Sequence, residues 1–240
     1  MTIDGDPSPP SRLRPRLRRG RLVYPLPGDV EAVLFDLDGL LIDSEPLWGR
    51  AEAAVVEAHG GHLTPGDRLA TIGRSVDASL AIYAERVGLP ATSVSRLRRE
   101  LLESVRRLIA EEGQIRPGAA KLIDLLGDRL PLAVASNSDG EVVALALDRI
   151  GLMGRFAAVI SAEDVSRPKP APDVYLEACR RLGVAPSAAL GFEDSPAGIE
   201  ALHAAGAAAV GVRADGPFRL DAADVVVASL EDVLDWVDTA

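Results

Sequence analysis

Six short apolar runs recur between residues 32 and 228, and most of them empty directly into acidic, hydroxyl or basic side chains. The runs are Ala32–Asp36, Leu132–Ala135, Ala157–Ser161, Ala188–Phe192, Ala207–Val212 and Asp224–Ala228. Helical stretches are expected between and after them, at about 118–126, 140–150, 172–182, 196–205 and 230–237. Ser138 and Glu141 have the spacing of a capping box, and Pro172 and Pro196 suit first helical turns. Gly127, Gly151, Gly183 and Gly206 stand where helices should stop. Strands alternating with helices of this length predict an α/β fold, a doubly wound, Rossmann-like parallel sheet covered on both faces.

The alternation breaks once. Between Ile42 and Arg116 there are helical patterns and no convincing strand, the clearest being Thr92–Glu112 with Leu97, Leu101, Leu102, Val105, Leu108 and Ile109 on one face. Residues 45–114 are therefore expected to form an inserted helical cap, with 30–44 and 115–240 as the catalytic core. Residues 1–29 stand apart, with six prolines and six arginines against three aspartates. Such a segment cannot build a core, and its first twenty or so residues read as a mobile tail.

Four strand ends carry the chemistry. Val33-Leu34-Phe35-Asp36-Leu37-Asp38-Gly39 runs a buried strand into two carboxylates two residues apart. Neighbouring carboxylates repel unless a cation or proton compensates, which points to a hard metal such as Mg2+; turn or capping aspartates are the alternative. Leu132-Ala133-Val134-Ala135-Ser136-Asn137-Ser138 ends in donors for an anion at a helix N-terminus, with Ser136 and Asn137 favoured and Ser138 read as a helix cap. Arg167-Pro168-Lys169-Pro170-Ala171-Pro172-Asp173 holds one of only two lysines among stiff prolines. Leu190-Gly191-Phe192-Glu193-Asp194-Ser195 presents two more acids, which either complete a metal site or simply favour the following helix. Each segment is ambiguous alone. Ligands of open α/β sheets bind at the carboxyl ends of the strands, so the four together are far less so.

In order and spacing these segments resemble the haloacid dehalogenase superfamily, most closely its sugar-phosphatase and beta-phosphoglucomutase branch with a helical cap after the first strand. The resemblance spans about 31–235. It implies that Asp36 is the nucleophile that forms an aspartyl-phosphate, and that Asp38 protonates the leaving alcohol and then activates water. It implies Mg2+ held by the Asp36 side chain, the Asp38 backbone carbonyl and the Asp194 side chain, with Glu193 outside the ligands proper. Ser136 and Asn137 would bind phosphoryl oxygens, and Lys169 would offset the charge of Asp36 and phosphate. Two departures stand out: Pro168 replaces the usual glycine before the lysine, and Trp48 and Val76 replace a histidine and an arginine of the mutases. Glu45, Trp48 and Arg74 are expected to meet the organic part of the substrate.

The function expected is a Mg2+-dependent phosphatase acting on a small phosphorylated sugar or polyol. The alternatives are an intramolecular phosphosugar mutase, a phospho-accepting signalling module and a catalytically idle interaction protein. A net charge of −10 argues against nucleic-acid or anionic-membrane partners. No apolar stretch follows the N-terminal arginines, so no secretory signal is expected. With a single cysteine, Cys179, a cytoplasmic location is expected, and the chain is expected to be a monomer. Cys179 itself reads as a helix-core residue, and His59 and His62, flanking Gly60-Gly61, as solvated loop residues.

Overall fold

The structure is a computed structural model describing residues 28–64, 66, 67, 71, 75–213 and 219–237, with the backbone of 16–18 and 21–23. Six strands form one sheet: β3 (Ala32–Phe35), β4 (Leu132–Ala135), β5 (Ala158–Ile160), β6 (Ala189–Glu193), β7 (Ala208–Val212) and β8 (Val225–Val227). Their order is β5-β4-β3-β6-β7-β8 and every pairing is parallel. The helices outside the insert are α4 (Ala119–Gly127), α5 (Gly140–Arg149), α6 (Asp173–Leu182), α7 (Pro196–Ala205) and α8 (Glu231–Val237). Alternate strand residues feed opposite faces, as the two-residue strand period requires. Val33 and Phe35 join one apolar cluster and Leu34 the other, and Phe35 stacks on Phe192 with ring centroids 5.2 Å apart. Strand addition runs outward from β3 to β5 and then resumes on the other side at β6. The crevice beside β3, at the strands' carboxyl ends, is thus where a ligand is expected.

Among the described residues, three α-helices with both ends described lie between β3 and α4: α1 (Glu45–Ala58), α2 (Val76–Arg86) and α3 (Val94–Glu112). The six apolar residues named on α3 are all buried. Two chain segments join this insert to the sheet, tied by Asp43 N–H to Gln114 O and Arg116 N–H to Leu41 O, both 2.8 Å, and by an Arg116–Asp43 ion pair. On its other side α3 meets α5 through Arg98–Asp139 at 2.5 Å and through Arg106–Glu141. Among the described residues, no helix is long and apolar enough to cross a membrane.

Several expectations are corrected. Strand and helix ends move by about one residue, and β6 reaches Glu193. Within the expected tail, β1 (Arg16–Arg18) pairs antiparallel with β2 (Arg21–Val23). The two segments, Arg-Leu-Arg and Arg-Leu-Val, are two residues apart, the spacing of a hairpin; the rest of 1–27 lies outside the described residues. Asp139, not Ser138, is the N-cap of α5, because the Ser138 hydroxyl is committed elsewhere. His59 is no solvated loop residue: its Nε2 lies 2.7 Å from Glu100. Gly183 and Gly206 do end helices, with φ of 72° and 88°, and Cys179 is buried as expected.

Candidate active site

Asp36 follows β3 with its N–H still bonded to Phe192 O, so its side chain starts from the sheet's own geometry. Beyond it the chain folds back sharply, with the amides of Leu41 and Ile42 both donating to Leu37 O. The turn uses Gly39 at φ +82°, where a Cβ would overlap the Asp194 carboxylate. Glycine therefore serves twice here, for the backbone conformation and for the close approach of Asp194.

The second acid of the first segment is held differently. Asp38 Oδ1 accepts from Ser44 Oγ at 2.7 Å and Trp48 Nε1 at 3.1 Å. Its Oδ2 accepts from Ser138 Oγ at 2.7 Å and Ser136 Oγ at 3.2 Å. Donors from the segment entering α1, from α1 itself and from the loop after β4 thus converge on one carboxylate and fix its orientation.

Lys169 is buried and its ammonium makes three bonds: Asp36 Oδ1 at 2.6 Å, Glu193 Oε1 at 2.7 Å and Ala135 O at 2.8 Å. Asn137 clamps the lysine's backbone, accepting from Lys169 N–H at 2.9 Å and donating to Lys169 O at 3.3 Å. Glu193, wholly buried, also accepts from Tyr175 Oη at 2.6 Å. Its Oε2 takes Asp194 N–H, Ser195 N–H and Ser195 Oγ at 3.0–3.2 Å. A Cβ at Gly198 would overlap this carboxylate, so α7 can pass only with glycine there.

Oxygens of Asp36, Glu193 and Asp194 lie within 4.8 Å of one another. All are hard donors of the kind Mg2+ takes. Glu193 already accepts five hydrogen bonds, which leaves Asp36 and Asp194 as the carboxylates with capacity for an ion. The haloacid dehalogenase-like hydrolase family model matches residues 30–206. The chain belongs to that family.

The electrostatics of this hydrolase fit a site built around added positive charge. Burial raises the Asp36 pKa from 3.8 to about 8; Lys169 opposes this, while Glu193 and Asp38 add to it. Asp194 is raised well above the carboxylate range by burial, then by Asp36, Glu193 and Glu45. Burial alone would lower the Lys169 pKa, but Asp36 and Glu193 reverse that and hold it above the ordinary lysine value. Tyr175 is raised by burial and by the charges of Glu193 and Asp36, so its phenol keeps its proton.

A cleft opens over these groups. Its floor is Asp36, Asp38, Ser136, Asn137, Ser138, Lys169 and Asp194, and its far wall comes from the insert: Glu45, Trp48 and Glu52 of α1, Val76 and Ser79 of α2, and Leu101 of α3. Of the residues named from sequence, all but Arg74 are thus gathered at or directly behind one cleft; Arg74 lies outside the described residues. Ser44, Glu52 and Tyr175 are among the site residues that the sequence did not point to, and Ser138 was read only as a helix cap. Glu52 was within reach, since Glu45, Trp48 and Glu52 follow the i, i+3, i+7 spacing of one helix face. Ser138 shares a side with Ser136 at the two-residue strand spacing, but its cap-like context masked this. Tyr175 carries no local signal at all.

The chain is also similar to individual known proteins. The chain is 30% identical over 210 residues to the phosphorylated carbohydrates phosphatase of Thermotoga maritima, covering 85% of this chain and 97% of that protein. It is 32% identical over 212 residues to hexitol phosphatase B of Escherichia coli strain K12, covering 86% and 96%. The solved structure of CbbY from Rhodobacter sphaeroides in complex with phosphate superposes with a TM-score of 0.76 at 27% identity, over 87% of this chain and 99% of that one.

Proposed function

We propose that this hydrolase is a Mg2+-dependent phosphatase that cleaves a small phosphorylated sugar or polyol through an aspartyl-phosphate on Asp36. One observation carries the reading: a buried carboxylate with a lysine on one oxygen stands two residues from a second acid that four donors hold over the same cleft. Phosphoryl transfer asks mainly for in-line positioning and charge neutralisation, and this arrangement offers both.

In the first half-reaction an Asp36 oxygen attacks phosphorus, the ester P–O bond breaks, and Asp38 gives its proton to the departing alkoxide. In the second, Asp38 takes a proton from water, the hydroxyl oxygen attacks phosphorus, and the Asp36–phosphorus bond breaks to release inorganic phosphate. Lys169 lowers the repulsion between Asp36 and the incoming phosphoryl group. Ser136 and Asn137 stand at the amino end of α5 to receive its oxygens. Mg2+ would be held by the Asp36 and Asp194 side chains and the Asp38 carbonyl, where it supplies further charge neutralisation. Glu193, filled by five donors, holds Lys169 and the Asp194 turn in register rather than binding the ion.

Substrate class is supported by the relatives, named for phosphorylated carbohydrates and hexitols, and by a wall of carboxylates, hydroxyls and an indole that suits a hydroxylated leaving group. Glu45 and Trp48, together with Glu52, are the specificity residues of this reading, and Arg74 is carried as a fourth. The insert, 45–114, acts as the cap that carries them, and 30–44 with 115–240 as the catalytic core. The test is a phosphate-release screen over phosphosugars, polyol phosphates and phosphoglycolate, with and without Mg2+. Release from sugar or polyol phosphates that needs Mg2+ and vanishes in Asp36→Asn is expected. Full turnover by Asp36→Asn would overturn the mechanism, and conversion of beta-glucose 1-phosphate to glucose 6-phosphate without free phosphate would favour the mutase.

A further inference from the structure

Tyr175 sits in the first turns of α6, wholly buried, with its ring among the apolar residues behind the sheet. A phenylalanine would fill that space equally well, and burying a hydroxyl costs free energy unless it finds a partner. The partner here is Glu193 Oε1 at 2.6 Å, the oxygen that also takes the Lys169 ammonium at 2.7 Å. The same ammonium lies 4.8 Å from the Tyr175 ring centroid and 2.6 Å from Asp36 Oδ1. One phenol therefore touches both partners of the ion pair that faces the nucleophile.

We infer that Tyr175 is a positioning residue: through Glu193 it fixes the Lys169 ammonium on Asp36 and the turn that carries Asp194. A carboxylate is planar and rigid, so what holds one oxygen orients the other. Oε1 is balanced between Tyr175 and Lys169, and Oε2 gathers the Asp194 and Ser195 amides and the Ser195 hydroxyl. Without the phenol, Oε1 keeps Lys169 as its sole donor among these contacts. The buried carboxylate then draws the ammonium toward itself and away from Asp36.

The sequence supplies a direct readout, because the chain has only two lysines, Lys121 and Lys169. Protein labelled with 15N in the lysine side chains gives two ammonium resonances, and exposed Lys121 serves as the internal reference. In Tyr175→Phe the Lys169 resonance should move and its ammonium hydrogens exchange faster, while Lys121 stays put. Turnover per folded molecule should fall about tenfold with KM within about twofold, as for an interaction used in the transition state. Substituting 3-fluorotyrosine, a stronger donor that leaves the sequence intact, should displace the Lys169 resonance in the opposite sense and covers the case in which Tyr175→Phe does not fold. An unmoved Lys169 resonance overturns the inference, whatever happens to activity or melting temperature. The catalytic part rests on the phosphatase reading, whereas the resonance does not: a wild type without phosphatase activity would sink that reading alone.

Discussion

The floor of the cleft and its helical wall are built on opposite principles. On the floor, charged groups from three segments meet neutral donors from a fourth, and Asp36, Asp38, Lys169 and Glu193 each take partners from another segment. On the wall, Glu45, Trp48 and Glu52 come from one face of one helix, and Glu45 is exposed. A cooperative ionic network fixes geometry and tolerates little change, whereas a helix face can vary residue by residue. On the proposed reading the sheet carries the reaction chemistry and the insert the substrate choice, with Trp48 the one wall residue that also reaches across to Asp38.

Replacing Lys169 with methionine should separate the two regions most sharply. The apolar stem is kept, but Asp36 and Glu193 are left buried with no ammonium between them. Removing one partner of a buried ion pair costs about 3–5 kcal/mol, so urea unfolding should show a loss of that order and turnover should fall at least about a thousandfold. A variant that keeps wild-type stability would mean that the floor is not the tightly coupled unit described above.

Proton linkage gives a second, smaller test confined to the floor. Asp36, raised from 3.8 to about 8, and Asp194, also raised, keep protons in the metal-free fold that the unfolded chain has released. Between about pH 4 and pH 8 the folded state thus binds more protons, and stability falls as pH rises through that window. Mg2+ offsets the same negative charge and should flatten the slope. Melting temperatures in chelator should drop by several degrees from about pH 5 to pH 8, and by less with Mg2+ present. Identical slopes would argue against Asp36 and Asp194 as the ion's holders.

The floor was also the region most legible in the sequence. Strand periodicity locates strand ends, and in a parallel sheet all of those ends meet on one side, so Asp36, Ser136, Lys169 and Asp194 could be grouped without any tertiary information. What stayed hidden depends on partners distant in the chain. Ser138 has the local look of a helix cap, yet its hydroxyl crosses to Asp38, a hundred residues away in sequence. Tyr175 gives its one informative bond to Glu193 on another element, and the Arg98–Asp139 pair joins two helices that no local pattern brings together. Local propensity is also weak evidence for short strands, which is why the β1–β2 pair fell inside a stretch whose composition argued for disorder.

The mildest substitution probes the wall alone. Glu52→Gln changes charge but little shape at a half-buried position lining the cleft two helical turns from Glu45. If the wall only selects, turnover of the preferred sugar or polyol phosphate should stay within about twofold. KM for that substrate should rise about threefold, because a carboxylate accepts hydroxyl hydrogen bonds more strongly than an amide oxygen does. Substrates lacking hydroxyls near that wall should show no change, so the ratio of kcat/KM between a polyol phosphate and a simple alkyl phosphate is the quantity to measure. A fall in turnover comparable to that of Lys169→Met would place Glu52 among the reacting groups, and the insert would then share in the chemistry well beyond the one bond that Trp48 gives to Asp38.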